Sequence, residues 1–313
     1  EYRRQRQMCI RDRDTGVAVG PWNYSADGSK VWMKSTWEDA ISSIDLTTGA
    51  VTNHTVTGGD WPSGQASALG LAIGTISVSG TPTSVAIVLD AGYAYGTNYK
   101  AGLYVVDLST FAVITKHDWD TVTGVSLQAG FQLPDSYDAS IMLSADGSTL
   151  FASNNGVAYE IDTTAFTSTT LSGFGDALFL HRGLTNTTDH LLYGISWGNP
   201  GHIKIYNTTT HTMIKEFSAT STPVYAGDPR GLVEAPNGDL YFAESNGGSG
   251  GATALVHLSK ADSYSATRVD LPDNLTNPAG TVYSNYAADG TCIFVNANNI
   301  ETVTAVSVNG AKC

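Results

Sequence analysis

Aromatic side chains recur beside carboxylates and amides along this chain. The groups are Trp37 with Glu38 and Asp39; Asp60 with Trp61; Asp90 ahead of Tyr93, Tyr95 and Tyr99; Asp118, Trp119 and Asp120; Asp135, Tyr137 and Asp138; and Trp197 with Asn199. Such pairings suit a sugar or another polyhydroxyl ligand. An aromatic face packs on apolar C–H surface, while a carboxylate accepts hydroxyl hydrogen bonds. Trp37, Glu38, Asp60, Trp61, Tyr93, Tyr95, Tyr99, Trp119, Tyr137 and Trp197 therefore form the candidate ligand-binding set. The competing reading is that the rings pack between structural elements and the carboxylates only solvate a surface.

Catalytic chemistry is harder to find. The seven His are dispersed, and none stands in a His-Glu-x-x-His or Cys-x-x-Cys frame. The Gly-x-Ser-x-Gly spacing falls from Gly194 to Gly198 and from Gly247 to Gly251, but no run of helical periodicity follows either to make a nucleophile elbow. The run Asn246-Gly247-Gly248-Ser249-Gly250-Gly251 lacks the Lys of a phosphate cradle and reads as a loop. His181 and Arg182 could serve as an acid/base pair with a carboxylate, against the plainer role of a strand histidine satisfied by hydrogen bonds. The expectation is no catalytic residue, no metal and no cofactor.

Charge and composition narrow the partners. The net charge is −13 and only 14% of residues are charged, against about 25% in an average globular chain. A nucleic-acid binder shows a basic stripe, so no nucleic-acid partner is expected. No run of about 18 apolar residues occurs, and no membrane insertion by a helix is expected. The most apolar stretch, 68–89, is broken by Gly70, Gly74, Gly80 and Pro82 and reads as strands and turns. Asn-x-Ser/Thr sequons at Asn23, Asn53, Asn186, Asn207 and Asn274, with abundant Thr and scarce Lys, point to a secreted or cell-surface location. Cys292 and Cys313 are expected to form a disulfide and leave Cys9 unpaired; three free thiols are the alternative.

The elements that must position these residues repeat. A β-type run ending in Asp or a substitute passes into a Ser/Thr/Gly turn at Asp45, Asp107, Asp162, Asn207, Ser259 and Asn309, with spacings of 62, 55, 45, 52 and 50 residues. Upstream of most copies lies a second turn: Asp27-Gly28, Asp146-Gly147, Asn237-Gly238 and Asp289-Gly290. Asp-Gly and Asn-Gly supply the positive φ that tight hairpins need. Each copy reads strand, tight turn, strand, variable loop, strand, tight turn, strand. One such sheet cannot cover both its faces, so the copies must stack. The expected fold is all-β, a β-propeller of about six four-stranded blades. In that topology the tight turns share one rim, and the variable loops, which carry the aromatic and acidic groups, share the other.

The pattern resembles the six-bladed YVTN/YncE-like propellers. The stretch from Gly231 to Tyr241 resembles the NHL-like blades of the gluconolactonase and strictosidine-synthase-like group. The lactonase resemblance implies a metal held by the Glu of a Gly-Glu-Gly-Pro-x-Trp motif and by the Asp of a Pro-Asp-Gly motif. Here the matching positions are Val19, before Gly20-Pro21-Trp22, and Arg230, between Pro229 and Gly231. Valine cannot ligate and arginine repels a cation. The functional expectation is therefore a secreted or cell-surface propeller that binds an extracellular glycan or protein partner, or acts as a scaffold. The alternative is a gluconolactonase-like hydrolase or lyase.

Residues 1–13 hold five of the sixteen basic residues and share neither the periodicity nor the composition of the rest. They resemble translated adapter read-through and are expected to lie outside the fold. A single propeller domain is expected over 14–313, with the last blade truncated or completed by residues such as Gly16 to Gly20.

Overall fold

The computed structural model describes residues 22–34 (except 26 and 28), 40–59 (except 46), 61, 68–90, 93–94, 97–98, 101–124, 139–154, 157–174, 179–182, 190–196, 202–218, 228–245 (except 236), 252–270, 282–286, 292–297 and 303–307. Residues 1–13 and Gly16 to Gly20 lie outside them.

The strands follow one another as antiparallel meanders. The first sheet holds β1 (Trp22–Tyr24), β2 (Lys30–Lys34), β3 (Ala40–Asp45) and β4 (Val51–Thr55). The second holds β5 (Ala68–Val78), β6 (Thr81–Asp90), β9 (Gly102–Asp107) and β10 (Val113–Asp118). A two-stranded ribbon, β7 (Tyr93–Ala94) and β8 (Thr97–Asn98), is inserted between its second and third strands, and a short helix, α1 (Trp119–Thr123), follows its fourth. The third sheet is β11 (Ala139–Leu143), β12 (Thr149–Asn154), β13 (Val157–Asp162) and β14 (Ser168–Thr170). The fourth is β15 (Phe179–Arg182), β16 (Leu191–Ser196), β17 (His202–Asn207) and β18 (Thr212–Ser218). The fifth is β19 (Asp228–Glu234), β20 (Leu240–Ser245), β21 (Ala252–Ser259) and β22 (Ser265–Asp270). In the sixth, the described strands are β23 (Val282–Tyr286), β24 (Cys292–Ala297) and β25 (Val303–Ser307). These six sheets are the blades of a β-propeller, as the sequence periodicity predicts.

The chain divides into two compact units, Glu1–Leu171 and Ser172–Cys313. In the first, β6 shows why the run from Val85 to Leu89 is apolar at every position. Its Ala86 and Val88 pack with Ile41, Leu71 and Tyr104 in the core between the first two blades. Its Val85, Ile87 and Leu89 turn the other way, into a core with Ile141, Leu143, Leu150 and Ile161 of the third blade. A strand covered on both faces cannot alternate polar and apolar residues. Full burial of each Val, Leu or Ile side chain among them contributes roughly 1.5–3 kcal/mol. The fourth strands are covered on one side only, and β4 is accordingly mostly exposed. In the second unit the same logic joins Leu191, Tyr193, Ile203 and Ile205 to Leu240, Phe242, Val256 and Leu258.

The first strands of neighbouring blades approach closely. A Cβ built on Gly70 would lie 2.9 Å from Ile141 Cγ1 and 3.2 Å from the Ile141 backbone nitrogen. At Gly147 the constraint is double: φ is 73°, and a Cβ would fall 1.7 Å from the carbonyl oxygen of Thr75. The Asp146-Gly147 hairpin is thus wedged against the backbone of β5.

The tight turns carry a repeated device. At Asp45, Asp107, Asp162 and Asn207 the side-chain oxygen accepts a backbone N–H two residues on, from Thr47, Ser109, Thr164 and Thr209, at 2.7–2.9 Å. The turn then ends on a residue in the left-handed region: Gly49 in the first blade, but Phe111 (φ 56°), Phe166 (φ 49°) and His211 (φ 54°) in the next three. Two of these aromatics reach back to the fourth strand of the preceding blade. Phe111 stacks on His54 at 4.0 Å between ring centroids, and Phe166 stacks on His117 at 3.7 Å. In the fifth blade Tyr264 (φ 60°) meets Phe217 of β18 edge-on at 6.5 Å.

Candidate ligand-binding rim

The Asp- and Asn-marked turns fall between first and second or third and fourth strands, and their side-chain oxygens are engaged by nearby amides and hydroxyls. Asp27 accepts from the hydroxyls of Ser25 and Ser29 and from the Ser29 amide, and the Ser25 bond above all lowers its pKa to about 2. The Thr48 amide first, then its hydroxyl, holds Asp45 below the usual carboxylate range. The hydroxyl and amide of Ser109 do the same to Asp107, and the Ser144 hydroxyl leads for Asp146. Burial opposes ionisation of Asp239, but bonds from His257, the Lys260 amide and Asn237 together still hold its carboxyl low. In Asp45, Asp107 and Asp146 these bonds all fall on Oδ1, which fixes the carboxylate within its own turn.

The opposite connections, second to third strand and fourth strand to next blade, hold both insertions, the β7–β8 ribbon and α1. Helix α1 has five residues, begins after Asp118 and ends at Gly124 in the left-handed conformation. It is fastened to both neighbours: the Trp119 amide donates to Ala101 O at 2.9 Å, and the Ser168 hydroxyl of β14 donates to Val122 O at 2.8 Å. This fastening turns the indole of Trp119 inward. It is fully buried, edge-on to Tyr159 at 5.6 Å, and its N–H has no hydrogen-bond partner. Trp119 therefore offers no exposed face to a sugar. Asp120, next along the helix, is exposed.

Trp61 lies half-buried between the first two blades, edge-on to Tyr104 at 5.2 Å, with its buried N–H also unpartnered. Two cations complete this cluster. The Lys34 ammonium, on a side chain fully buried at the end of β2, stands 5.6 Å from the Trp61 ring centroid. Lys116 lies 5.5 Å from the Tyr104 centroid and 3.3 Å from Asp118 Oδ1. Cation–π contacts out of water are worth up to about 2 kcal/mol. The sequence reading missed both lysines, because it sought aromatics beside carboxylates. The available signal was a Lys closing the otherwise apolar run Val31-Trp32-Met33.

Trp37, Glu38, Asp60, Tyr95, Tyr99, Tyr137 and Trp197 lie outside the described residues, and so does the side chain of Tyr93, whose backbone opens β7. The structure thus brings together Trp61 with Lys34 and Tyr104, and places Trp119 in a core. Cys292 opens β24, but its side chain and all of Cys313 lie outside the described residues, among which there is no disulfide. Val19 is outside as well. Arg230, at the second lactonase-like ligand position, sits within β19 opposite Ala243.

In the second unit a polar cluster is sealed inside the fold. The Tyr193 hydroxyl is 3.4 Å from Glu234 Oε1, and burial together with the Glu234 charge pushes the phenol pKa far up. Tyr193 is therefore a fixed hydrogen-bond donor here. Among the described residues no three His, Cys, Asp or Glu side chains converge as metal ligands would.

The repeated four-stranded antiparallel meanders define the class of the protein as a β-propeller. No known family pattern matches the sequence, and no curated protein resembles it significantly. Solved structures do share its fold. A chain of the hydrazine synthase of Kuenenia stuttgartiensis superposes with a TM-score of 0.62 at 15% identity, over 93% of this chain and 78% of that one. The Swd1 β-propeller domain of Myceliophteria thermophila gives 0.60 at 11% identity, over 95% and 86%. A chain of a mitotic checkpoint complex gives 0.60 at 14%, over 95% and 76%. These likenesses show the propeller fold, which hosts many unrelated functions.

Proposed function

We propose that this chain is a secreted or cell-surface binding propeller that engages a protein partner through the rim bearing the β7–β8 ribbon and helix α1. One observation carries the reading: the β7–β8 ribbon and α1 are inserted where strands two and four end, while the carboxylates of the other rim are each held within their own turns. Function concentrates on irregular connections held by a rigid scaffold. With a net charge of −13, the chain favours a partner whose contact surface is neutral or basic. Two neighbours come from structures of protein assemblies, the mitotic checkpoint complex and a complex of KlAtg21 with the coiled coil of AgAtg16, which is in keeping with this role. A YVTN-like blade repeat also accords with it.

A glycan ligand is the second reading, favoured by the adjacency in sequence of Trp37 with Glu38, Asp60 with Trp61, and Trp197 with Asn199. The burial of Trp119 and the packing of Trp61 on Tyr104 leave this reading to the remaining aromatics.

The test compares two lysine substitutions on the full chain. Asp120→Lys alters α1, and Thr47→Lys alters an exposed turn of the other rim. Partners cross-linked from the extracellular fraction should be lost with Asp120→Lys and retained with Thr47→Lys. Partners that survive Asp120→Lys and vanish with Thr47→Lys would place the working face on the turn rim and overturn the proposal. A neutral-glycan array run beside the cross-linking decides the second reading.

A further inference from the structure

Three of the five sequons fall on described residues, and their asparagines differ in what the fold leaves of them. Asn23 is in β1, opposite Trp32, and its Nδ2 donates to Leu71 O on β5, the first strand of the next blade, at 3.3 Å. That nitrogen is engaged between blades. Asn53 is in the solvent-facing strand β4; it is exposed, and its one bond is made through Oδ1, which accepts from the Ser42 hydroxyl at 2.8 Å. Asn207 heads the β17–β18 turn and likewise uses Oδ1, accepting from the Thr209 and Thr210 amides at 2.9 and 2.8 Å. In both, the Nδ2 amide is unengaged while the oxygen fixes the side chain. The hydroxyl-bearing third positions, Thr55 and Thr209, are exposed too.

We propose that Asn53 and Asn207 are acceptor sites for N-linked glycan and that Asn23 is not, a selection set by the fold rather than by the sequon. The inference rests on the extracellular reading for its biological setting. The chemistry needs a lipid-pyrophosphate-linked oligosaccharide as co-reactant. The Asn Nδ2 forms a bond to the anomeric carbon as the bond from that carbon to the phosphate oxygen breaks. The lipid pyrophosphate leaves with the electron pair, and the amide nitrogen gives up one of its two protons. A glycan on Asn53 or Asn207 displaces no hydrogen bond of the fold. On Asn23 it would replace one of the two N–H groups of the nitrogen bonded to Leu71 O, at a joint where the first strands of two blades meet, and it would place a bulky polar group against β5. Chains modified there do not complete the first blade.

The full chain, carried into the secretory pathway of a eukaryotic cell by a supplied signal sequence, tests acceptor choice whatever the natural location of the protein. Secreted protein is deglycosylated by peptide N-glycosidase in heavy-oxygen water, and labelled aspartate is mapped by mass spectrometry. The expected result is label at positions 53 and 207 and unmodified Asn23. Thr55→Ala and Thr209→Ala should each remove one glycan from the intact mass while the protein is still secreted. Label at position 23 in the secreted pool, or its absence at both 53 and 207, overturns the proposal. Because the readout is mass rather than binding, neither result bears on the partner-binding rim.

Discussion

Phe166 occupies a position where two opposing effects can be separated by two substitutions. Its ring is buried and stacked on His117, and its backbone lies at φ 49°. Phe166→Ala removes a buried ring, which costs about 3–5 kcal/mol, and keeps the left-handed strain, which is about 1–2 kcal/mol for any residue with a Cβ. Phe166→Gly removes the same ring and relieves that strain, against a gain in unfolded-chain entropy of about 0.4–1 kcal/mol. Glycine should therefore be the milder change, by about 0.5–1 kcal/mol, the reverse of the order seen inside helices and strands. Urea titrations of the two variants and the wild type, compared at equal m-value, give both differences. If Phe166→Ala is as stable as wild type, the stack on His117 is not what joins these blades. If Phe166→Gly is less stable than Phe166→Ala, the turn is not strained and the argument from φ fails.

Burial pushes the pKa of His117 below 6.5, and burial with the charge of Lys30 does the same to His54. The unfolded chain then takes up protons that the folded chain refuses. The stability of these joints is complete above pH 6.5 and falls as the pH drops through the lowered folded-state values; thermal melts over that window should show the loss, and a His54→Phe, His117→Phe variant should flatten it. Gly147→Ala, whose Cβ would meet Thr75 O at 1.7 Å, should cost at least about 3 kcal/mol, whereas Gly80→Ala, at φ 82° but in open space, should cost only about 1–2 kcal/mol by the same urea assay. Deleting residues 1–13 should leave the melting temperature unchanged; a fall of several degrees, equivalent to about 1–2 kcal/mol, would assign them a place in the fold.

The blades were legible because their signals are local. Asp27, Asp146 and Asn237 mark first hairpins, and Asp45, Asp107, Asp162 and Asn207 mark second ones, since a short side-chain oxygen bonds backbone amides two residues on. The second blade's first hairpin turns at Ser79-Gly80 without such a mark, and its strands had to be read from apolar runs alone. The expectation that all long connections share one rim holds for the ribbon and α1, but β15 ends at Arg182 and β16 begins at Leu191, so one first-to-second connection is long as well. Trp119 looked like a rim residue because acids flank it. Five residues of helix were enough to fold it inward, and a span that short leaves no periodicity to read. The Phe111 and Phe166 stacks were invisible for another reason: their partners lie 57 and 49 positions earlier, and nothing in either local sequence announces the other.

Those same stacks give the chain a direction in time. Each aromatic clasps a strand already made, so during synthesis the outer edge of one blade waits for the closing turn of the next. At about 5–20 residues per second, a gap of about 50 residues is a delay of about 2.5–10 seconds. For that interval the His54 ring on β4, then the His117 ring on β10, lacks the aromatic that later stacks on it, while the strand that bears it is an edge open to pairing with a foreign strand. A codon change that slows translation between Asp118 and Phe166 would lengthen the second of these intervals without altering a single contact of the finished molecule.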